Sequence, residues 1–202
     1  MKTISLICCL FILAQASAQE DYTIYIGDSA YKVNLNSKRD VMINGKKVSL
    51  SLKLNDTLTY SDDYLSFKYM KDFSISKTKV DEGIEQIMIM TADGSGILIQ
   101  KYSTINPSML HELMLSEVTK ESINYGFVMT REDYKKTIRS GHNIDIKKAV
   151  LKYKDDVNIY EITSVAKKDE GVLLMTVRMD NEPNSNGEKL IKLMWETLRF
   201  KQ

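Results

Sequence analysis

Cysteine, proline and tryptophan are scarce in this chain, whose 202 residues include two, two and one of them, respectively. Both cysteines, Cys8 and Cys9, lie inside the apolar run from Ile4 to Ala14. A chain that loses this run has no thiol, which excludes disulfides and requires an apolar core to hold the fold together. The prolines, Pro107 and Pro183, stand far apart, so no segment has the composition of a Pro-rich linker.

The N-terminal residues have the order of a secretory signal peptide. Lys2 precedes the apolar run, which is too short to span a bilayer, and Ala16-Ser17-Ala18 follows it as an A-x-A cleavage site. We therefore predict that residues 1–18 are removed on export and that the mature chain begins at Gln19. A lipid on Cys8 or Cys9 is the disfavoured alternative, because bulky Ile7 precedes Cys8 and apolar residues continue after Cys9.

Neither a strong charge of one sign nor a second long apolar run is present. The chain has 28 lysines and arginines against 27 aspartates and glutamates, and loss of Lys2 would bring the net charge to zero. A nucleic-acid partner is not expected, because such proteins carry a basic face. No apolar run after Ala18 approaches the roughly 20 residues of a membrane-spanning helix. We expect an exported protein, periplasmic or extracellular, and the composition rich in lysine, isoleucine and asparagine suggests a bacterial source.

The mature chain opens with strand-like segments. Val41 to Ile43 and Val48 to Leu54 flank Asn44-Gly45, a pair that tolerates positive φ and predicts a hairpin, as part of a loop with Lys46. Tyr22, Tyr25 and Tyr31 could form a stacking surface for a glycan or a peptide, although packing within a sheet is favoured. We predict that residues 19–57 form a β-rich N-terminal segment and that residues 58–202 form a single α+β domain.

Two helices are predicted, between segments whose apolar and polar residues alternate as in strands. Asn106-Pro107 predicts the start of the first helix and Gly126 its end. Its apolar positions are Leu110, Leu113, Met114 and Val118. The second helix begins near Glu188, and its apolar stripe comprises Leu190, Leu193, Met194 and Leu198, widened by Ile191 and Trp195.

Strands are predicted on both sides of the first helix. They cover residues 64–69, 73–76, 84–90 and 97–102 before it, and 134–139, 144–153, 157–166 and 172–179 after it, the last four as a meander. This grouping, without regular alternation of strand and helix, favours an α+β fold. The fold class is a mainly antiparallel β-sheet covered by two amphipathic helices, as a sandwich.

The order of these elements resembles the Mog1/PsbP-type fold. The residues that carry the resemblance are Tyr64-Leu65-Ser66-Phe67-Lys68-Tyr69, the following Phe73, and the closing helix with Trp195 and Leu198-Arg199-Phe200. It covers roughly Leu58 to Phe200. The resemblance implies a central antiparallel sheet covered by helices, with the last helix running into an aromatic strand. It also implies a binding or assembly module, and it assigns no catalytic residue to this chain.

His111 is the first of only two histidines. His111-Glu112 with Glu117 on the same helix suggests a metal site, but a zinc-binding helix brings a second histidine four residues later, where this chain has Leu115. We therefore predict no metal ligand here and expect His111 on the solvent side of its helix.

His142 stands within Ser140-Gly141-His142-Asn143, with Asp145 close by. These are the residue types of a nucleophilic triad, but triads are assembled from distant segments, and a turn around Gly141 explains the sequence better. The sequence thus assigns no catalytic, cofactor-binding or metal-binding residue.

Two functions remain open from the sequence. The first is an exported, non-enzymatic binding or accessory module for a protein, peptide or glycan, acting through a surface groove lined by tyrosines and methionines. The second is a small exported hydrolase that uses His111 or His142 with carboxylates brought together by the fold. The absence of a convincing catalytic set favours the first, and the residues that bind the ligand stay unnamed.

Overall fold

A computed structural model describes residues 21–179 and 182–201. The predicted signal peptide, with Cys8 and Cys9, lies outside these residues, as does the start of the mature chain. The chain divides into two compact units between Leu54 and Asn55. In the first unit, two antiparallel hairpins are formed by β1 (Asp21–Ile26) with β2 (Ser29–Asn34) and by β3 (Lys38–Ile43) with β4 (Lys46–Ser51).

The turn of the second hairpin is shorter than the sequence suggested. Ile43 pairs directly with Lys46, so the loop is Asn44-Gly45 alone. Their φ angles of 48° and 75° are both positive, as a two-residue hairpin turn requires. On the first hairpin, Ile24 lies opposite Tyr31, whereas Tyr25 points to the other face and is exposed.

The second unit contains most of the strands and both helices. Its strands are β5 (Thr57–Ser61), β6 (Leu65–Met70), β7 (Ser76–Asp81), β8 (Ile84–Met90), β9 (Gly96–Tyr102), β10 (Val128–Arg131), β11 (Tyr134–Thr137), β12 (Asn143–Tyr153), β13 (Asp156–Ala166), β14 (Gly171–Arg178) and β15 (Arg199–Phe200). Its helices are α1 (His111–Tyr125) and α2 (Asn186–Thr197). The fold is α+β with antiparallel strand pairing, as predicted.

The strands of this unit form two sheets. The main sheet has the order β10-β12-β13-β14-β9-β8-β7. Outside this order, β11 also pairs with β12. The smaller sheet has the order β15-β6-β5. The predicted meander is present, because β11, β12, β13 and β14 pair with one another in chain order.

Two apolar clusters form on the second unit because residues of β14 alternate between them. Val172 and Leu174 belong to a cluster that includes the smaller sheet and α2, with Trp195. Leu173 and Met175 belong to a cluster that includes Leu115 of α1. Every one of these six side chains is buried, and β14 is buried from Gly171 to Val177, as expected of a central strand.

The ends of the helices follow from their capping residues. The Asn106 side chain accepts a hydrogen bond from the Ser108 amide, and the first turn after it, Pro107–Leu110, is a 3-10 helix that leads into α1. Gly126 ends α1 with φ 114°, and the amides of Gly126 and Phe127 donate to the carbonyls of Ile123 and Ser122. Ser185 caps α2 by accepting from the Glu188 amide, so that this helix begins at Asn186.

Three local predictions were wrong or incomplete. Residues 73–76 do not form a strand, and the strand begins at Ser76, where all side chains of β7 are exposed. The short strands β5 and β10 were not predicted, because neither has a long alternating pattern. Of the apolar positions predicted for the first helix, Leu110, Met114 and Val118 do pack against the core, but Leu113 is 58% exposed, and the buried Leu115 and Thr119 were not predicted.

Candidate functional site

A groove lies between α1 and the main sheet, with a volume of about 610 Å³. Its floor consists of the buried side chains Tyr160, Met175 and Val177, which project from neighbouring strands on the α1 face. Met90 and Met179 form one wall, with exposures of 40% and 43%. We call this the methionine groove. Flexible, polarisable thioethers of this kind adapt to apolar partners of different shape.

The methionine wall is held in place by the turn between β8 and β9. The Asp93 carboxylate accepts hydrogen bonds from the Ser95 amide and the Thr91 hydroxyl, which fixes the turn. The buried Ser95 hydroxyl then accepts from the Met179 amide at 3.0 Å, which ties the end of β14 to the turn. Gly94 has φ 86°, and a Cβ there would lie 3.0 Å from the Met179 sulfur. The backbone that carries this wall is therefore fixed, while the two methionine side chains stay half-exposed.

The opposite wall is α1, which contributes Val118 and a polar rim. Glu117, Lys120, Glu121 and Asn124 line the groove over about two helical turns. Lys120 forms one long ion pair with Glu117, at 4.0 Å. Glu121 has no ion pair among the described residues. The rim thus carries one more negative charge than positive charge.

His111 lies on the packed side of α1, not on the solvent side as the sequence suggested. Its Nε2 is 2.8 Å from the Ser164 hydroxyl of β13. Burial lowers the pKa of His111, as does nearby Lys147, while Glu112 and Asp145 oppose the shift. Within the described residues no hydrogen bond joins His111 to a carboxylate.

His142 also bonds to a hydroxyl. Its Nδ1 is 2.8 Å from the Ser140 hydroxyl, inside a turn closed by the Gly141 amide donating to the Ile138 carbonyl. Asp145 lies on β12 and forms an ion pair with Lys135 at 3.7 Å. The turn predicted from the sequence is present. The described residues thus bring together Ser140 and His142, but not the acid that a triad would need.

A partly buried ion pair holds the turn between β5 and β6 against β9. The Asp62 carboxylate receives the Lys101 ammonium at 2.8 Å, the Tyr60 hydroxyl at 2.6 Å, and the amides of Tyr64 and Leu65. Burial alone would raise the pKa of Asp62, but these hydrogen bonds together lower it. Burial raises the pKa of Tyr60, and its bond to Asp62 adds to the shift. All carboxylate positions are occupied, so the arrangement is structural.

A second partly buried carboxylate joins the sheet to α2. Glu161 accepts hydrogen bonds from the Tyr134 hydroxyl at 2.8 Å, the Trp195 indole at 3.0 Å and the Thr176 hydroxyl at 3.2 Å. Burial raises the pKa of Tyr134, and the Glu161 charge raises it further. Lys136 lies over the Trp195 ring at 5.2 Å. Because Glu161 already accepts three hydrogen bonds, it serves to position α2.

Neither a metal cluster nor a membrane-spanning helix is found in the described part of the chain. Among those residues, no group of three or more histidine, cysteine, aspartate or glutamate side chains lies close enough to hold a metal ion. No described helix is long and apolar enough to cross a membrane.

The sequence suggested a groove lined by tyrosines and methionines but not which residues form it. Met90, Tyr160 and Met175 come from three strands, Met179 directly follows β14, and only strand pairing brings them together. The one local signal was the strand alternation that places Tyr160 and Met175 on the same face as Ile162 and Leu173.

No protein-family model and no curated protein matches the chain. Among solved structures, the chain is similar to the PsbP protein (CyanoP) of the cyanobacterium Synechocystis, with a TM-score of 0.48 and 10% identity, over 73% of this chain and 94% of that one. It is also similar to a protein from Bacteroides thetaiotaomicron, with a TM-score of 0.36 and 11% identity, over 68% of this chain and 45% of that one. The first of these structures carries the name of the fold family that the sequence was found to resemble.

Proposed function

We propose that the protein is an exported, non-enzymatic binding or accessory module of a bacterial periplasm or cell surface, and that it holds a protein partner in the methionine groove. The observation that carries the proposal is the groove itself, with buried Tyr160 and Met175 below two half-exposed methionines. Exposed thioethers beside a wide cleft favour contact with an apolar partner.

The proposal includes a layered arrangement of the second unit and an exported location. In this arrangement, the main sheet is the middle layer of a sandwich, with α1 on one face and α2 with the smaller sheet on the other. The separation of Leu115 and Trp195 into different apolar clusters supports this arrangement. The exported location rests on the signal-peptide pattern of residues 1–18.

Site-specific photo-crosslinking in the native host tests the groove. A photoreactive amino acid at Met179 or Glu121, on opposite walls, should yield the same crosslinked protein. Placed at the exposed Glu82 or Glu196, outside the groove, it should not. Identical adducts from all four positions, or none from the groove positions, would refute the proposal.

A hydrolase remains the second candidate because of the contact between His111 and Ser164. A histidine within hydrogen-bond distance of a serine is the start of a nucleophile and base pair. Against it, Ser164 does not line the cleft that contains His111. Hydrolysis of p-nitrophenyl esters that is lost in both Ser164→Ala and His111→Gln would favour the hydrolase, and a rate that both variants retain would exclude this pair.

A further inference from the structure

The floor of the methionine groove presents side chains and no free strand edge. Tyr160 belongs to β13, which lies between β12 and β14, and Met175 belongs to β14, which lies between β13 and β9. Both strands are therefore hydrogen-bonded on both sides over this region. A partner cannot extend the sheet here, so it must bind through its own side chains.

The dimensions of the groove suit a helix. The wall of α1 lines it from Glu117 to Asn124, about 10 Å at the helical rise. This length matches two turns of a second helix, which would place aliphatic side chains at i, i+3 or i+4 and i+7 over Met175.

The charge of the α1 wall favours a partner with basic residues. Glu117 and Glu121 stand one turn apart on the rim, and Lys120 is the one cation of the described rim. The whole chain has a net charge of only +1, so it does not attract cations in general. A preference for a basic partner would therefore come from the groove itself. A basic residue beside the apolar stripe of the partner would meet Glu121.

Resting on the proposed function, we infer that the methionine groove binds an amphipathic helix of a partner protein, with aliphatic residues on one face and lysine or arginine along the flank that meets Glu117 and Glu121. The apolar face covers Met90, Met175 and Met179. The flanking cations set the orientation of the helix and favour basic over acidic sequences.

Two synthetic peptides test this inference. Each has about four helical turns with leucines on one stripe, and the flanks carry lysine in one peptide and glutamate in the other. Methionine methyl resonances of the full mature chain report the site of binding. The methyls of Met90, Met175 and Met179 should shift with the lysine peptide, while those of Met70 and Met109, outside the groove, should not.

Charge reversal tests the flank. We expect the lysine peptide to bind about three- to tenfold more tightly than the glutamate peptide, the combined effect of two exposed ion pairs. The double variant Glu117→Lys with Glu121→Lys should abolish or invert this ratio. A matched double variant, Glu82→Lys with Glu196→Lys, changes the net charge by the same amount outside the groove and should preserve it. Circular dichroism checks that both variants are folded.

The outcomes separate the two proposals. Groove methyls that shift equally with both peptides overturn the charged flank and leave the binding groove intact. Groove methyls that shift with neither peptide overturn the helix inference, and crosslinking from Met179 then decides whether the proposed function stands. Groove methyls that shift on concentrating the protein alone, together with a dimer in light scattering, would identify a second copy as the occupant and overturn the inference.

Discussion

Replacing Lys101 by methionine should be among the most damaging single changes in the second unit. Its ammonium lies 2.8 Å from Asp62, and the two side chains are 14% and 12% exposed. Removing one partner of such a pair leaves a charge without compensation in a poorly solvated site, which typically costs about 3–5 kcal/mol. The Tyr60 hydroxyl and two amides still donate to Asp62, so we expect a loss of about 3 kcal/mol, the lower end of that range.

Urea denaturation measures this loss through the fluorescence of Trp195, the only tryptophan of the chain. The matched control is Lys168→Met, because the ion pair of Lys168 with Asp169 spans 3.9 Å between side chains that are 92% and 71% exposed. Its effect on the free energy of unfolding should stay below about 0.5 kcal/mol. A Lys101→Met variant no less stable than Lys168→Met would refute the reasoning.

Acid titration gives an independent check on the same pair. The pKa of Asp62 is lowered in the folded chain. Its contribution to stability is therefore present above the ordinary aspartate pKa of about 4 and is lost as the pH falls through the lower folded value. Asp62→Asn should be less stable near neutral pH and should lose less further stability in acid. An unchanged acid dependence in Asp62→Asn would contradict this assignment.

Three further predictions concern other parts of the chain. Trp195→Ala should cost about 3–5 kcal/mol because Trp195 is 6% exposed, and Trp195→Phe about 1.5–3 kcal/mol because Glu161 loses a donor. Both variants lack the only tryptophan, so circular dichroism follows their unfolding in urea. Midpoints no different from the parent's would show that Trp195 does not hold α2 on the sheet. Because its folded pKa is lowered, His111 should make the protein less stable as the pH falls from about 6.5 through the folded pKa, and a His111→Gln variant with the same pH slope would count against this. Mass spectrometry of protein from the native host should find an N-terminus at Gln19, possibly cyclised, and an acylated cysteine would contradict the signal-peptide prediction.

Local chemistry determined much of the secondary structure from the sequence alone. Asn44-Gly45 produced a two-residue turn because both residues accept positive φ, and Asn106 and Gly126 marked the beginning and end of the first helical region through backbone hydrogen bonds. The closing helix was predicted within two residues because its apolar stripe is regular. These features depend on neighbours within a few positions, which a sequence displays directly.

Tertiary structure alone decided which leucine of α1 is buried, the surroundings of the histidines and the composition of the groove. Leu113 and Leu115 are equally apolar, and only the sheet on one side of the helix determined that Leu115 is buried. His111 likewise meets Ser164 across 53 positions of sequence. Met90, Met175 and Met179 share a wall and floor because β14 pairs with β9 across a long connection. Such contacts depend on pairing between distant strands, and no local pattern of residues specifies which strands pair. The sequence therefore predicted a groove, but only the fold shows which residues line it.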